Sequence, residues 1–150
     1  MSSTGLEVFD KTLQTTHIWL DEIMAELGPD RQRAYHALRA VLHALRDRLP
    51  LNLAAHLGAQ LPLLVRGIYY DSWDPQPETT RERKQEEFLD HVAAGLQGTR
   101  PVNVEQATRV VFGTIGRHVT AGQVDKVRDA LPKDIQALWR ETTAASEPVR

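Results

Sequence analysis

Residues 37–50 read Ala37-Leu38-Arg39-Ala40-Val41-Leu42-His43-Ala44-Leu45-Arg46-Asp47-Arg48-Leu49-Pro50, with large apolar side chains at 38, 41, 42, 45 and 49. That three-and-four rhythm lays one apolar stripe along an α-helix, with arginine and histidine on the other face. Seventy residues on, Ala107-Thr108-Arg109-Val110-Val111-Phe112 repeats the pattern of Ala37 to Leu42. The same offset sets Leu45 over Ile115, Leu49 over Val119, Leu57 over Val127, Leu61-Pro62 over Leu131-Pro132, Val65 over Ile135 and Ile68-Tyr69 over Leu138-Trp139. Upstream, an offset of 69 sets Trp19-Leu20-Asp21 over Phe88-Leu89-Asp90 and Leu27 over Leu96. Apolar positions held in phase over such a span read as an internal repeat of helical units.

Working outward, the periodicity predicts helices over 8–27, 31–48 and 52–71, then over 81–97, 103–118 and 121–142. Gly28-Pro29-Asp30 closes the first and opens the second, with Asp30 as N-cap. Pro62 and Pro132 fall inside the third helix of each half, where a proline removes a backbone donor and crowds the preceding turn, so that helix is expected to kink or split just before it. The expected architecture is therefore all-α: a compact helical bundle of two pseudo-symmetric three-helix repeats, the third helix of each kinked at Leu-Pro. The repeats are placed at 8–73 and 81–142 of a single 1–150 domain. A linker at 71–80 contains Pro75 and Pro77. Each half alone lies near the lower size limit for a stable core, so burial of one against the other is expected.

Composition bounds the function. The 150 residues are 41% apolar and 25% charged, with a net charge of −2, and this excludes a whole-molecule basic field for nucleic acid. The absence of cysteine excludes disulfides, thiolate metal sites and cysteine nucleophiles. No apolar run approaches a membrane span and the N-terminus lacks signal-peptide character, so a cytoplasmic protein is expected.

Catalytic patterns are missing. His17, His36, His43, His56, His91 and His118 include no pair three or four residues apart, the spacing at which one helix presents two metal ligands. His36 and His43 share a face but stand roughly 10 Å apart along the axis. Glu87 and His91 have helical spacing and read as a surface pair. There is no Gly-x-Ser-x-Gly elbow and no phosphate-cradling glycine loop. No catalytic residue, metal ligand or cofactor is assigned.

The arginines carry more information. Fourteen of the 18 basic residues are arginine, five of them between Arg31 and Arg48. Arg39, His43 and Arg46 form a stripe away from Leu38, Leu42 and Leu45. Arg66-Gly67-Ile68-Tyr69-Tyr70-Asp71-Ser72-Trp73 gathers aromatics beside the linker. Tyr, Trp and Arg are the side chains most enriched at binding hot spots. Tyr69 aligns with Trp139 and is expected to pack, whereas Tyr70 and Trp73 have no counterpart and are expected to touch a partner.

The strings Leu38 to Pro50, Gly58-Ala59-Gln60-Leu61-Pro62 and Arg66 to Trp73 resemble the bacterial domain-of-unknown-function family 2267, over about Thr16 to Trp139. The resemblance implies an all-helical repeat protein, sometimes joined to other modules, and no established activity. Two positions depart from the pattern: Leu53 stands where an acidic residue is expected, and Ser72 replaces the glycine of Asp-Gly-Trp. The resulting expectation is a non-enzymatic interaction or regulatory adaptor module. Its contact surface is Arg39, Arg46, Arg48, Arg66, Tyr70 and Trp73, and its partner is another protein or a second copy, with nucleic acid disfavoured and no membrane. Charge reversal at Arg46 and Arg66 is then expected to spare the fold. The alternative is a small-ligand- or metal-binding protein with a pocket between the halves.

Overall fold

A computed structural model of the chain describes residues 2–76 and 78–146, with side chains through Trp139. Pro77 of the linker lies outside the described residues. Among those described there are eight helices and no strand: α1 Glu7–Leu27, α2 Arg31–Arg48, α3 Leu51–Ala59, α4 Leu63–Tyr70, α5 Gln85–Ala94, α6 Val104–His118, α7 Ala121–Asp129 and α8 Lys133–Ser146.

Helix starts follow local chemistry. The Asp30 carboxylate accepts the Arg33 backbone N–H at 3.1 Å, Asn103 accepts that of Gln106 at 2.8 Å, and Thr120 accepts that of Gln123 at 3.4 Å. Each side chain satisfies a donor that the first helical turn leaves unpaired.

The segments 52–71 and 121–142, expected to kink or split just before Pro62 and Pro132, do split: each is two helices. At Pro62 the backbone is extended, with φ −59° and ψ 156°, and the proline becomes the N-cap of α4. Its carbonyl accepts the Arg66 N–H at 2.7 Å, and that of Pro132 accepts the Gln136 N–H at 2.9 Å. A proline that would break a helix interior is tolerated where a new helix begins, because its missing donor is not needed there. α5 starts at Gln85 rather than 81 because the preceding residues run extended along α2: the Thr80 N–H donates to the Asp47 carbonyl at 3.1 Å, and Arg48 Nε to the Glu82 carbonyl at 2.8 Å.

The buried apolar side chains form one cluster. Trp19 and Phe88, Leu42 and Phe112, Leu45 and Ile115, Leu57 and Val127, Leu61 and Leu131, Val65 and Ile135, and Tyr69 and Trp139 all lie within it. Phe112 stacks on Trp139 at 4.2 Å, and the Tyr69 hydroxyl donates to the Ala54 carbonyl at 2.7 Å. Each such side chain contributes roughly 1.5–3 kcal/mol through burial.

α1 packs on α2, α4 and α6, and α5 packs on α6, α8 and α2. α2 and α6 cross in the middle and carry α4 and α8, while α3 packs on α4 and α7, and α7 on α8. α6 also packs on α7.

Candidate functional site

Five of the six residues singled out by the sequence lie around one feature, the stretch that leaves α4 and runs back along α2, and the sixth, Arg66, sits at the end of α3. Arg46 is only 5% exposed. Its Nη1 donates to the carbonyls of Tyr69 at 2.9 Å and Asp71 at 3.0 Å, and its Nε to the Asp47 carboxylate at 2.9 Å. The guanidinium also sits 5.9 Å from the centre of the Trp73 ring. These carbonyls belong to the end of α4, where the last turn leaves acceptors unpaired, and Arg46 supplies the donors. Arg46 is thus a buried cap and not part of a contact surface. A carboxylate in its place would face those carbonyls, so charge reversal at Arg46 is expected to destabilise the fold and not to spare it.

The others are similarly engaged. Arg39 pairs with the Asp71 carboxylate at 2.8 Å, which holds that carboxyl below its usual range. Arg48 holds the Glu82 carbonyl. Arg66 donates to the carbonyls of Leu61 at 2.9 Å and Ala59 at 3.3 Å, closing the end of α3. Tyr70 and Trp73, expected to touch a partner, stack on each other at 5.4 Å, and the Tyr70 hydroxyl donates to the Ala55 carbonyl at 3.3 Å. Gly58 makes room for it: a Cβ there would overlap the Tyr70 hydroxyl. Ser72 has φ 63°, the left-handed region that glycine occupies without strain, so a side chain is carried at the turn despite its cost. The arginine face of α2 is a latch for the connecting segment.

A histidine completes the latch. His91 on α5 lies between two carboxylates, with Nδ1 3.0 Å from Glu82 and Nε2 3.4 Å from Asp47. The hydrogen bond with Asp47, followed by that with Glu82, raises its pKa to about 9 against the opposing effect of burial. Burial pushes the Asp47 and Glu82 carboxyls up, but hydrogen bonds from His91, with Arg46 or Thr80, bring both below their ordinary values. The expected Glu87–His91 pair is not the one formed. Glu87 instead accepts the backbone N–H groups of Arg83 at 2.8 Å and Lys84 at 3.2 Å. His43 Nε2 lies 2.8 Å from the Ile68 carbonyl, and burial lowers its pKa. His118 bonds Glu22 at 2.8 Å and stacks on Trp19 at 5.0 Å. Among the described residues no three His, Asp or Glu side chains converge in a way that could hold a metal ion. None of the described helices is long and apolar enough to cross a membrane.

Beneath the connecting segment opens a cleft of about 270 Å³, lined by Arg46, Asp47, Leu49, Trp73, Asp74 and Thr80 among others. Its walls are α2, the start of α3 and the connection itself, so this cleft is not the pocket between the halves that the alternative reading called for.

At one end of the bundle lies a surface that sequence reasoning missed. Along α1, Phe9, Leu13, Thr16, Leu20 and Ile23 follow one helical stripe. From Thr16 onward the stripe is buried, whereas Phe9 is 48% exposed and Leu13 38%, with Leu6 just before them at 51%. The first two turns of α1 overhang the core. The first turn of α4 is tied to this overhang by the Leu64 N–H, which donates to Thr12 Oγ1 at 2.9 Å. That turn adds Leu63 and Leu64, at 51% and 38% exposed. The periodicity of α1 was legible in the sequence, but where its cover stops was not.

The described residues form an all-helical bundle of eight packed helices. The chain belongs to the family described as uncharacterized conserved protein (DUF2267), whose sequence profile matches residues 16–138. That match begins at Thr16, the first buried side chain of α1, and leaves Leu6, Phe9 and Leu13 before it. No curated protein matches the chain.

Proposed function

We propose that this protein is a non-enzymatic interaction module that docks through the overhanging end of α1 and the first turn of α4, and that α1–α4 and α5–α8 are two copies of one helical unit. The carrying observation is a contrast at an offset of 70. Leu63 and Leu64 open α4, while Lys133 and Asp134 open α8. Both helices follow Leu-Pro, and the Asp134 carboxylate accepts the Gln85 N–H at 2.8 Å, much as Thr12 accepts that of Leu64. The position therefore does not demand leucine. Apolar surface that the scaffold does not require is surface available for contact.

The test is quantitative capture from lysate of the native host, comparing the wild-type chain with the double variant Leu13→Glu, Leu64→Glu. Both substitutions fall on exposed positions and leave the core untouched. Loss of a stoichiometric bound protein in the variant, with an unchanged melting curve, supports the reading. Identical captured proteins from both overturn it.

A further inference from the structure

Resting on the docking face just described, we propose that its occupant is a second copy of this chain, giving a two-fold homodimer built on the α1 overhang. Leu6, Phe9, Leu13, Leu63 and Leu64, each 38–51% exposed, present an apolar surface at one end of the bundle on the order of the 300–600 Å² patches that are often functional. A standard-size interface covers about 800 Å² on each partner and is rather more than half apolar at its core. The patch therefore supplies the apolar core that one side of a stable dimer needs.

The shape of the patch favours the same occupant. An apolar stripe on a projecting helix is complementary to itself when two copies meet across a two-fold axis, because each overhang offers the other the stripe it lacks. Isologous dimers of this kind are the commonest closed assemblies. Inside the molecule the same helix face already meets this need: Thr16, Leu20 and Ile23 are covered by the chain's own core, and only the two turns before them are not. Val8, Ile18 and Leu51, also exposed, do not continue the stripe, Val8 lying about a quarter turn round α1 from Phe9. Ile18 projects from the other side of α1, and Leu51 lines the cleft under the connecting segment.

Two copies meeting over so small an apolar core associate in the micromolar range, since much of the gain offsets lost rotational and translational freedom. The test is sedimentation equilibrium of the full chain from low to high micromolar concentration. The expected result is a mass rising from 16.9 kDa toward twice that value. Leu13→Glu with Leu64→Glu should stay at the monomer mass with its helical circular dichroism and melting curve intact. The exposed counterpart change Lys133→Glu on α8 should leave the association as it is. A wild-type chain that remains monomeric throughout overturns the homodimer. If the double variant also loses a captured protein, the docking face stands and its occupant is a different protein. A dimer that survives the double variant, together with unchanged capture from lysate, rejects both the homodimer and the docking face.

Discussion

α4 and α8 begin in the same way. Each follows Leu-Pro, the proline carbonyl takes an early helical N–H, and a large aromatic, Tyr69 or Trp139, is buried on the core side. The residue three beyond the start serves the same purpose in both: Arg66 donates to the Leu61 carbonyl at 2.9 Å, and Gln136 to the Leu131 carbonyl at 2.8 Å. They part after the aromatic. α4 stops at Tyr70, whereas α8 runs on to Ser146. A helix that stops exposes its last carbonyls, and α2 answers with Arg46 and His43 beneath α4. A helix that continues satisfies those carbonyls from its own next turn, and the aligned positions of α6 are Gly116 and Gly113. The arginine-rich face of α2 is thus the consequence of a short α4, which makes it a structural device before it is anything else.

The largest test of this comparison is at that aligned pair. Arg46→Ala leaves two carbonyls without their donor and the Asp47 carboxylate with His91 alone, and should lower stability by ~3 kcal/mol. Gly116→Ala should have the opposite sign: its Cβ would meet Trp139 Nε1 at an ordinary 3.5 Å. The gain in helix propensity should then stabilise by ~0.5–1 kcal/mol. Urea denaturation of both variants measures this, and a harmless Arg46→Ala would break the latch assignment.

A smaller effect is expected at His91. Its folded pKa is raised from 6.5 to about 9, so the folded state binds the proton more tightly than the unfolded chain. The stabilisation is complete below the unfolded value and is lost as pH rises through 9. His91→Gln should cost ~1–2 kcal/mol at neutral pH, and wild type and variant should converge above pH ~9. Denaturation midpoints across alkaline pH would show it; a gap that stays constant with pH would mean that charge plays no part. The smallest effect is at Arg66→Gln, which installs the residue that already closes the aligned turn at Gln136. A change under ~0.5 kcal/mol is expected, and a larger loss would show that the Ala59 carbonyl also depends on Arg66.

Much of the scaffold was legible in residue spacing. The starts of α2 and α6, the Asp30 cap and the buried partners from Leu45 and Ile115 to Tyr69 and Trp139 follow from periodicity and capping chemistry, which act within a few residues. The candidate site was legible only in part. Arg46, Arg66, Tyr70 and Trp73 were singled out for their chemistry, and they do lie near one another. Composition could not tell a hot spot from a cap, because both use arginine and aromatics. His91 was paired with Glu87 because the two lie four apart, yet its partners Glu82 and Asp47 arrive from the extended connection and from α2. Leu63 and Leu64 looked like ordinary positions just past the break expected at Pro62.

The amino-acid order by itself determined that this chain is helical, that α1 and α2 part at Gly28-Pro29-Asp30 and that a break falls at Pro62 and Pro132, because hydrophobic periodicity, prolines and caps act locally. Only the tertiary structure decided which polar groups are consumed and which apolar groups are left over. Arg46 is buried because α4 ends above it, and Phe9 and Leu13 are exposed because the core ends before α1 does. Burial depends on what arrives from elsewhere in the chain, and no local pattern carries that information.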